Sequence, residues 1–161
     1  MKLPVVRTRV RGQDGWGSGE FQAPRGTKPN GEKKYHKGID IEADPGYEVI
    51  SCCLGDVTKI GYPYAQSEPA NGFKNEDERR TFYLKKALRY VEVTTPGKNR
   101  VRHFYVSPLV SVGDRIIPGR TLGIVQDIEA VYPEMTPHFH FEVLDRSGQV
   151  VNPYHFLEDQ I

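Results

Sequence analysis

Apolar and polar residues alternate in a series of short runs along the chain: GIDIEA, EVISCCLG, DVTKIGY, LRYVEVTT, RVRHFYV, LVSVGD, RTLGIVQD and HFHFEVLD. A period of two marks half-buried strands. Short strands at this spacing, divided by Gly and Pro turns, predict an all-β fold, an antiparallel sandwich or barrel. The turn PGKN joins two of the runs as a hairpin. One segment departs from the pattern. EDERRTFYLKKAL carries its acids early and its bases late, complementing a helix dipole, and predicts one short helix inside an insertion spanning residues 63–87. The first 35 residues, rich in Gly, Pro and charge, read as an ordered, loop-rich lead-in anchored by Trp16 and Phe21.

At 161 residues the chain, 1–161, is expected to form a single domain that can bury a core without disulfides or a structural metal. Its 22 Lys and Arg nearly cancel 21 Asp and Glu, so no nucleic-acid footprint is expected. Cys52 and Cys53 are adjacent and read as reduced strand residues, since neighbours rarely meet disulfide geometry. The opening MKLPVVRTRVRG has no apolar signal region, and no run of eighteen apolar residues occurs, so neither a signal peptide nor membrane insertion is expected.

Candidate chemistry concentrates in TPHFHFE, residues 136–142. On a strand His138 and His140 share a face about 7 Å apart, with Phe139 and Phe141 on the other. His36 and Asp40 form a second cluster in HKGID. A straight strand would hold them about 13 Å apart, too far to share an ion, whereas a bend at Gly38 would close the gap. Together with one histidine of the 138/140 pair they make a two-histidine, one-carboxylate set, the composition of a catalytic zinc site with one open position. Taken singly, each motif is commonplace: an HxH pair can simply decorate a surface or a partial core.

Three stretches, HKGIDIEADPGYEVISCCLGDVTKIGY, VSVGDRIIPGRTLGIVQD and TPHFHFEVLDRSGQVVNP, resemble in order and spacing the lysostaphin-type zinc metallopeptidases, β-rich endopeptidases that cut the peptide bridges of bacterial cell walls. The likeness covers most of residues 36–153 outside the insertion. It implies His36, Asp40 and His140 as zinc ligands, His138 as the catalytic histidine, and a peptidoglycan peptide as substrate. Glu142, on the same strand face, is read as a solvated edge carboxylate, with the alternative that it accepts from His140.

The family carries a further active-site histidine in a Tyr–small–His triplet, where this chain has HFY at residues 103–105. Strand periodicity predicts that His103 and Tyr105 point to one face, so either is a candidate second catalytic group. DGWGSGEFQAPRG, FYVSP and VYPEMTPHFHFE resemble the vertebrate leukocyte-derived chemotaxins, a zinc-holding branch that implies binding rather than cutting. Against that, the absence of disulfide cysteines points to bacterial and phage relatives. A peptidase carried in a phage virion or tail, or released on lysis, would reach the cell wall without a signal peptide. The alternative is a zinc-binding pseudoenzyme serving as a wall-binding, protein-binding or structural module. Arg25 and Trp16 are candidates for a substrate groove, Trp16 equally for a loop anchor, and Tyr62, Tyr64 and Tyr132 for an aromatic groove wall. His155 reads as a surface residue.

Overall fold

The computed structural model describes residues 9–158; residues 1–8 of the expected lead-in lie outside that range. In chain order its elements are β1 (Pro24–Thr27), β2 (Lys33–Tyr35), β3 (Ile39–Glu42), β4 (Glu48–Ile50), β5 (Gly55–Gly61), α1 (Glu76–Lys86), β6 (Tyr90–Thr94), β7 (Arg100–Phe104), β8 (Val106–Pro108), β9 (Arg115–Ile116), β10 (Thr121–Val125), β11 (His138–Leu144), β12 (Val150–Val151) and α2 (Tyr154–Glu158). The fold is antiparallel β, as the alternating runs predict, with the one expected helix, α1, and a second short helix, α2, that the sequence reading did not include.

The main sheet runs β12–β11–β7–β6–β5–β9, and β3 pairs with the first half of β11 along the edge whose second half takes β12. Register fixes its two faces. Phe141 stands opposite Ile39 on β3 and His103 on β7, and His103 stands opposite Val91 on β6. This row, with Ile41, Val93, Val101, Phe139 and Val143, forms one buried face. The smaller sheet, β4–β10–β8, covers it with Val49, Val106, Leu122 and Val125. Burying a residue the size of Phe141 contributes about 1.5–3 kcal/mol, so several such rows hold the two sheets together. The other face of the main sheet carries His138, His140 and Glu142, beside Asp40, Phe104 and Arg102 of the neighbouring strands. It is left open as a cleft.

Several elements differ from expectation. The lead-in is not all loop: β1 and β2 form a hairpin, and Val10 bridges Ile41 of β3. LVSVGD is mostly a turn, closed by the Ser111 amide donating to Asp114 Oδ2 at 3.0 Å, and only the following Arg115–Ile116 joins the sheet. Within EVISCCLG the strand ends at Ile50. The expected helix runs over Glu76–Lys86; the Asn75 side chain caps it by accepting from the Glu78 amide at 2.8 Å. No helix residue is buried, and Leu84 packs at the rim against Leu88, Ile128 and Val131.

His103 is fully buried on the core face, its ring against Phe139 and Phe141. Its Nδ1 reaches Val91 O at only 3.4 Å, and its Nε2 has no partner among the described residues. Burial disfavours the charged ring and pushes the pKa down to about 4, with the Val91 carbonyl opposing weakly. The unfolded chain therefore takes up this proton near pH 6.5, before the folded protein does. The stability tied to His103 is present above that pH and is lost as pH falls towards 4, by up to about 3 kcal/mol. His103→Phe is expected to remove this part of the acid sensitivity, read from urea unfolding of both proteins at pH 7 and pH 4. Equal acid slopes would show that His103 does not carry it.

Candidate metal centre

β11 pairs His140 with Asp40 of β3, placing both on the open face. His36 precedes β3 and reaches them because Gly38 passes close beneath β11: a Cβ there would lie 2.2 Å from the Phe141 carbonyl oxygen. The expected bend is present, and it depends on a residue without a side chain. His36 Nε2, His140 Nδ1 and Asp40 Oδ1 then form a triangle with edges of 3.0, 2.9 and 3.2 Å. Tetrahedral zinc with bonds near 2.0–2.1 Å sets its donors roughly 3.3 Å apart, so the three atoms fit such an ion with little adjustment.

Contacts behind the triangle orient each donor. His36 Nδ1 donates to Glu20 O at 2.9 Å, which leaves the Nε2 lone pair facing the site. His140 Nε2 donates to Glu142 Oε2 at 3.1 Å and turns Nδ1 inward. Asp40 Oδ2 accepts from Arg11 through Nη2 at 2.9 Å and Nε at 3.2 Å, so Oδ1 is the oxygen left for an ion. His138 is held in the same manner but outside the triangle. Its Nδ1 donates to Thr136 O at 2.8 Å, while Nε2 points towards the site, 3.6 Å from Asp40 Oδ1.

The charges are set by burial and by these bonds. Burial raises the Asp40 pKa, but the hydrogen bond from His140 Nδ1 and the close His36 and His138 rings outweigh it and hold the carboxyl well below the usual range. For His140 burial opposes the charged ring, yet hydrogen bonds to Asp40 and Glu142 raise its pKa to about 9. Without metal that ring carries both protons at neutral pH, and an ion must displace the one on Nδ1, so metal uptake releases a proton. Burial lowers the His138 pKa despite the attraction of Asp40, and the ring stays neutral.

Glu142 corrects a sequence expectation. It is not a solvated edge carboxylate but a buried one, bonded to His140 and paired with Arg102 Nη1 at 3.3 Å. Arg102 continues the chain of polar contacts to Glu92 at 2.8 Å. Glu142→Gln is expected to weaken zinc binding by about 10–100-fold, measured by competition with a chromophoric chelator. Unchanged affinity would assign the carboxylate to the Arg102 network alone.

Two further contributors carried no signal in the sequence. Arg11 is only 2% exposed and also binds Asp14 Oδ2 and Gly17 O, both at 2.7 Å. Gly19 lets this segment lie on β3, since a Cβ there would meet the Arg11 carbonyl at 2.7 Å.

A cleft of about 800 Å³ opens over the triangle. Tyr105 lies on its wall, its ring 5.8 Å from that of His138, while His103 faces the core. The expectation that these two share a face fails because Tyr105 has φ of 65°, which breaks the alternation between β7 and β8. Phe104 and Tyr105, consecutive in sequence, both line the cleft. Burial pushes the Tyr105 phenol up to about 12, against a hydrogen bond with Tyr64 that lowers it. Tyr64 and Tyr132 line the same wall with their hydroxyls bonded to each other, and Lys85 sits over both rings. Tyr62 is not on this wall; it stacks under Arg89. Trp16 both lines the cleft and pins its loop, meeting Tyr132 edge-on and donating from Nε1 to Pro133 O at 2.9 Å. Arg25 lines the cleft as well, and His155 is exposed away from it.

No protein-family model matches the chain. Its sequence is similar to that of Myeloid protein 1 of Gallus gallus, 29% identical over 143 residues, which is 89% of this chain and 37% of that protein. Its structure is similar to the catalytic domain of the antimicrobial peptidase lysostaphin from Staphylococcus simulans (TM-score 0.55, 21% identity, 89% of this chain and 90% of that one). It is also similar to the catalytic domain of the prophage-encoded protein EnpA from Enterococcus faecalis (TM-score 0.54, 19% identity, 86% and 88%). A third similar structure is a zinc-containing peptidase from Vibrio cholerae (TM-score 0.55, 21% identity, 89% and 39%). The chain has the lysostaphin-type peptidase fold. It spans 52% of lysostaphin as solved in solution, and little more than a third of the curated relative.

Proposed function

We propose that the protein is a zinc-dependent endopeptidase that hydrolyses peptide bonds in bacterial peptidoglycan stems or cross-bridges. The observation that carries this reading is the triangle of His36 Nε2, His140 Nδ1 and Asp40 Oδ1, with His138 Nε2 beside it at the floor of a cleft. Zinc held by the three donors supplies a Lewis acid and a water acidified to a pKa of about 7. The chain's own groups do the rest. His138, neutral and with its Nδ1 proton fixed on Thr136 O, offers the Nε2 lone pair as general base and can return that proton to the leaving amine. Tyr105, protonated throughout the neutral range, donates a hydrogen bond to the developing oxyanion rather than acting as a base. The structural likeness to lysostaphin supports a wall peptide as substrate.

A specific observation favours a second reading. The cleft holds no histidine besides His36, His138 and His140 among the described residues, because His103 is turned into the core. A zinc-holding module that binds wall or protein without cutting fits that arrangement. The two are separated by release of amino groups from purified cell walls. Zinc-loaded protein, with about one zinc per chain, is expected to release them, chelation to stop the release, and Tyr105→Phe to reduce it by about 10²-fold. Silence from the zinc-loaded protein across several wall types would replace the first reading with the second.

A further inference from the structure

Beside the metal cleft, under the β1–β2 hairpin, lies a second cleft of about 510 Å³. Its lining includes Arg25, Lys28, Lys33, Lys34 and Lys37 and no carboxylate, in a chain whose formal net charge is only +1. Lys28 pairs with Glu32 at 2.8 Å, whereas Lys33, Lys34 and Lys37 enter no ion pair among the described residues. Neither hairpin strand buries a residue, so these side chains contribute nothing to the core. The two clefts adjoin: Arg25, Lys34 and His36 line both. β2 carries Lys33 and Lys34, and Lys37 follows just before the bend at Gly38, so the three lysines fall within five consecutive residues. Tyr35, 53% exposed, adds an apolar surface between them.

We propose that the hairpin cleft is a substrate subsite that takes a carboxylate-bearing segment of the same peptide chain whose scissile bond lies at His138. This rests on the peptidase reading. Lysine ammonium groups attract carboxylate and phosphate alike, and the adjacency of the two clefts decides for the peptide: a chain lying over the triangle reaches the hairpin cleft past Arg25 and Lys34, which border both. The subsite accordingly acts on binding, and its contribution falls with ionic strength.

The test reads binding without turnover. Zinc-loaded, isotope-labelled protein is titrated at low salt with an acetylated, amidated hexapeptide of alternating alanine and glutamate, with its glutamine counterpart, and with inorganic polyphosphate, while amide resonances are followed. The glutamate peptide is expected to shift resonances of residues 24–37 and to bind at least tenfold more tightly than the glutamine peptide. The triple variant Lys33→Ser, Lys34→Ser, Lys37→Ser is expected to lose that tenfold. Equal binding of the two peptides, shifts elsewhere, or a triple variant that binds as well as wild type would overturn the proposal. Polyphosphate binding without glutamate-peptide binding would overturn it in favour of a phosphate polymer. Failure of the wall assay alongside hairpin binding would remove the catalytic reading and leave the anionic-peptide site standing. Wall hydrolysis without hairpin binding would remove the subsite alone.

Discussion

His138→Ala is expected to lower turnover on cell walls by about 10²–10⁴-fold, the usual contribution of a positioned general base, while the protein keeps about one zinc per chain. The separation follows from geometry. His138 Nε2 lies 3.6 Å from Asp40 Oδ1, whereas His36 Nε2 and His140 Nδ1 lie at 3.2 and 2.9 Å and complete the donor triangle. Removing the imidazole takes away a proton acceptor without opening the metal's shell. His140→Ala is expected to lose metal and turnover together, which makes it the control. Zinc analysis beside the amino-group assay separates the cases. If His138→Ala loses its zinc, the two histidines have been assigned the wrong way round. If it keeps full turnover, the base is another group.

Arg11→Leu is expected to destabilise the metal-free protein by about 3–5 kcal/mol, the range for breaking a buried ion pair by removing one partner. The Arg11 guanidinium, almost wholly shielded, satisfies Asp40 Oδ2, Asp14 Oδ2 and the Gly17 carbonyl at once. Asp14 in turn accepts from the amides of Trp16 and Thr136, and Thr136 O holds His138. Without Arg11, Asp14 and Asp40 Oδ2 lose the guanidinium that bridges them, with Arg25 left at 3.9 Å from Asp40 Oδ2, and the lead-in loses its hold on β3. Urea unfolding in chelator measures the loss. Arg11→Lys is expected to fall between, since an ammonium keeps the charge but cannot fork onto both carboxylates. A loss under about 1 kcal/mol for Arg11→Leu would mean that water replaces the guanidinium without penalty.

The open face of the main sheet was readable because its chemistry is periodic. The alternation His138, Phe139, His140, Phe141 assigns two residues to chemistry and two to the core before any contact is known. Gly38 between His36 and Asp40 made a bend readable, though not that the glycine is required by the Phe141 carbonyl at its back. The same periodic reasoning failed at Tyr105, where one residue with positive φ turns the chain and sends His103 and Tyr105 to opposite sides of the sheet. Glu142 was misjudged because two-residue spacing reports the face, not the depth to which Arg102 and His140 enclose it.

The sequence by itself determined the strands of the main sheet that carry the site, the helix at Glu76–Lys86 and the residue types of the metal triangle, because each is written in spacings of two to four residues that local backbone geometry converts directly into direction. Only the tertiary structure decided that Arg11 backs Asp40 across 29 residues, that Tyr105 rather than His103 borders the cleft, and that a second cleft lined by Lys28, Lys33, Lys34 and Lys37 adjoins it. These depend on which segments pack together. Such packing is settled by burial and charge summed over the whole chain, and no local pattern carries it.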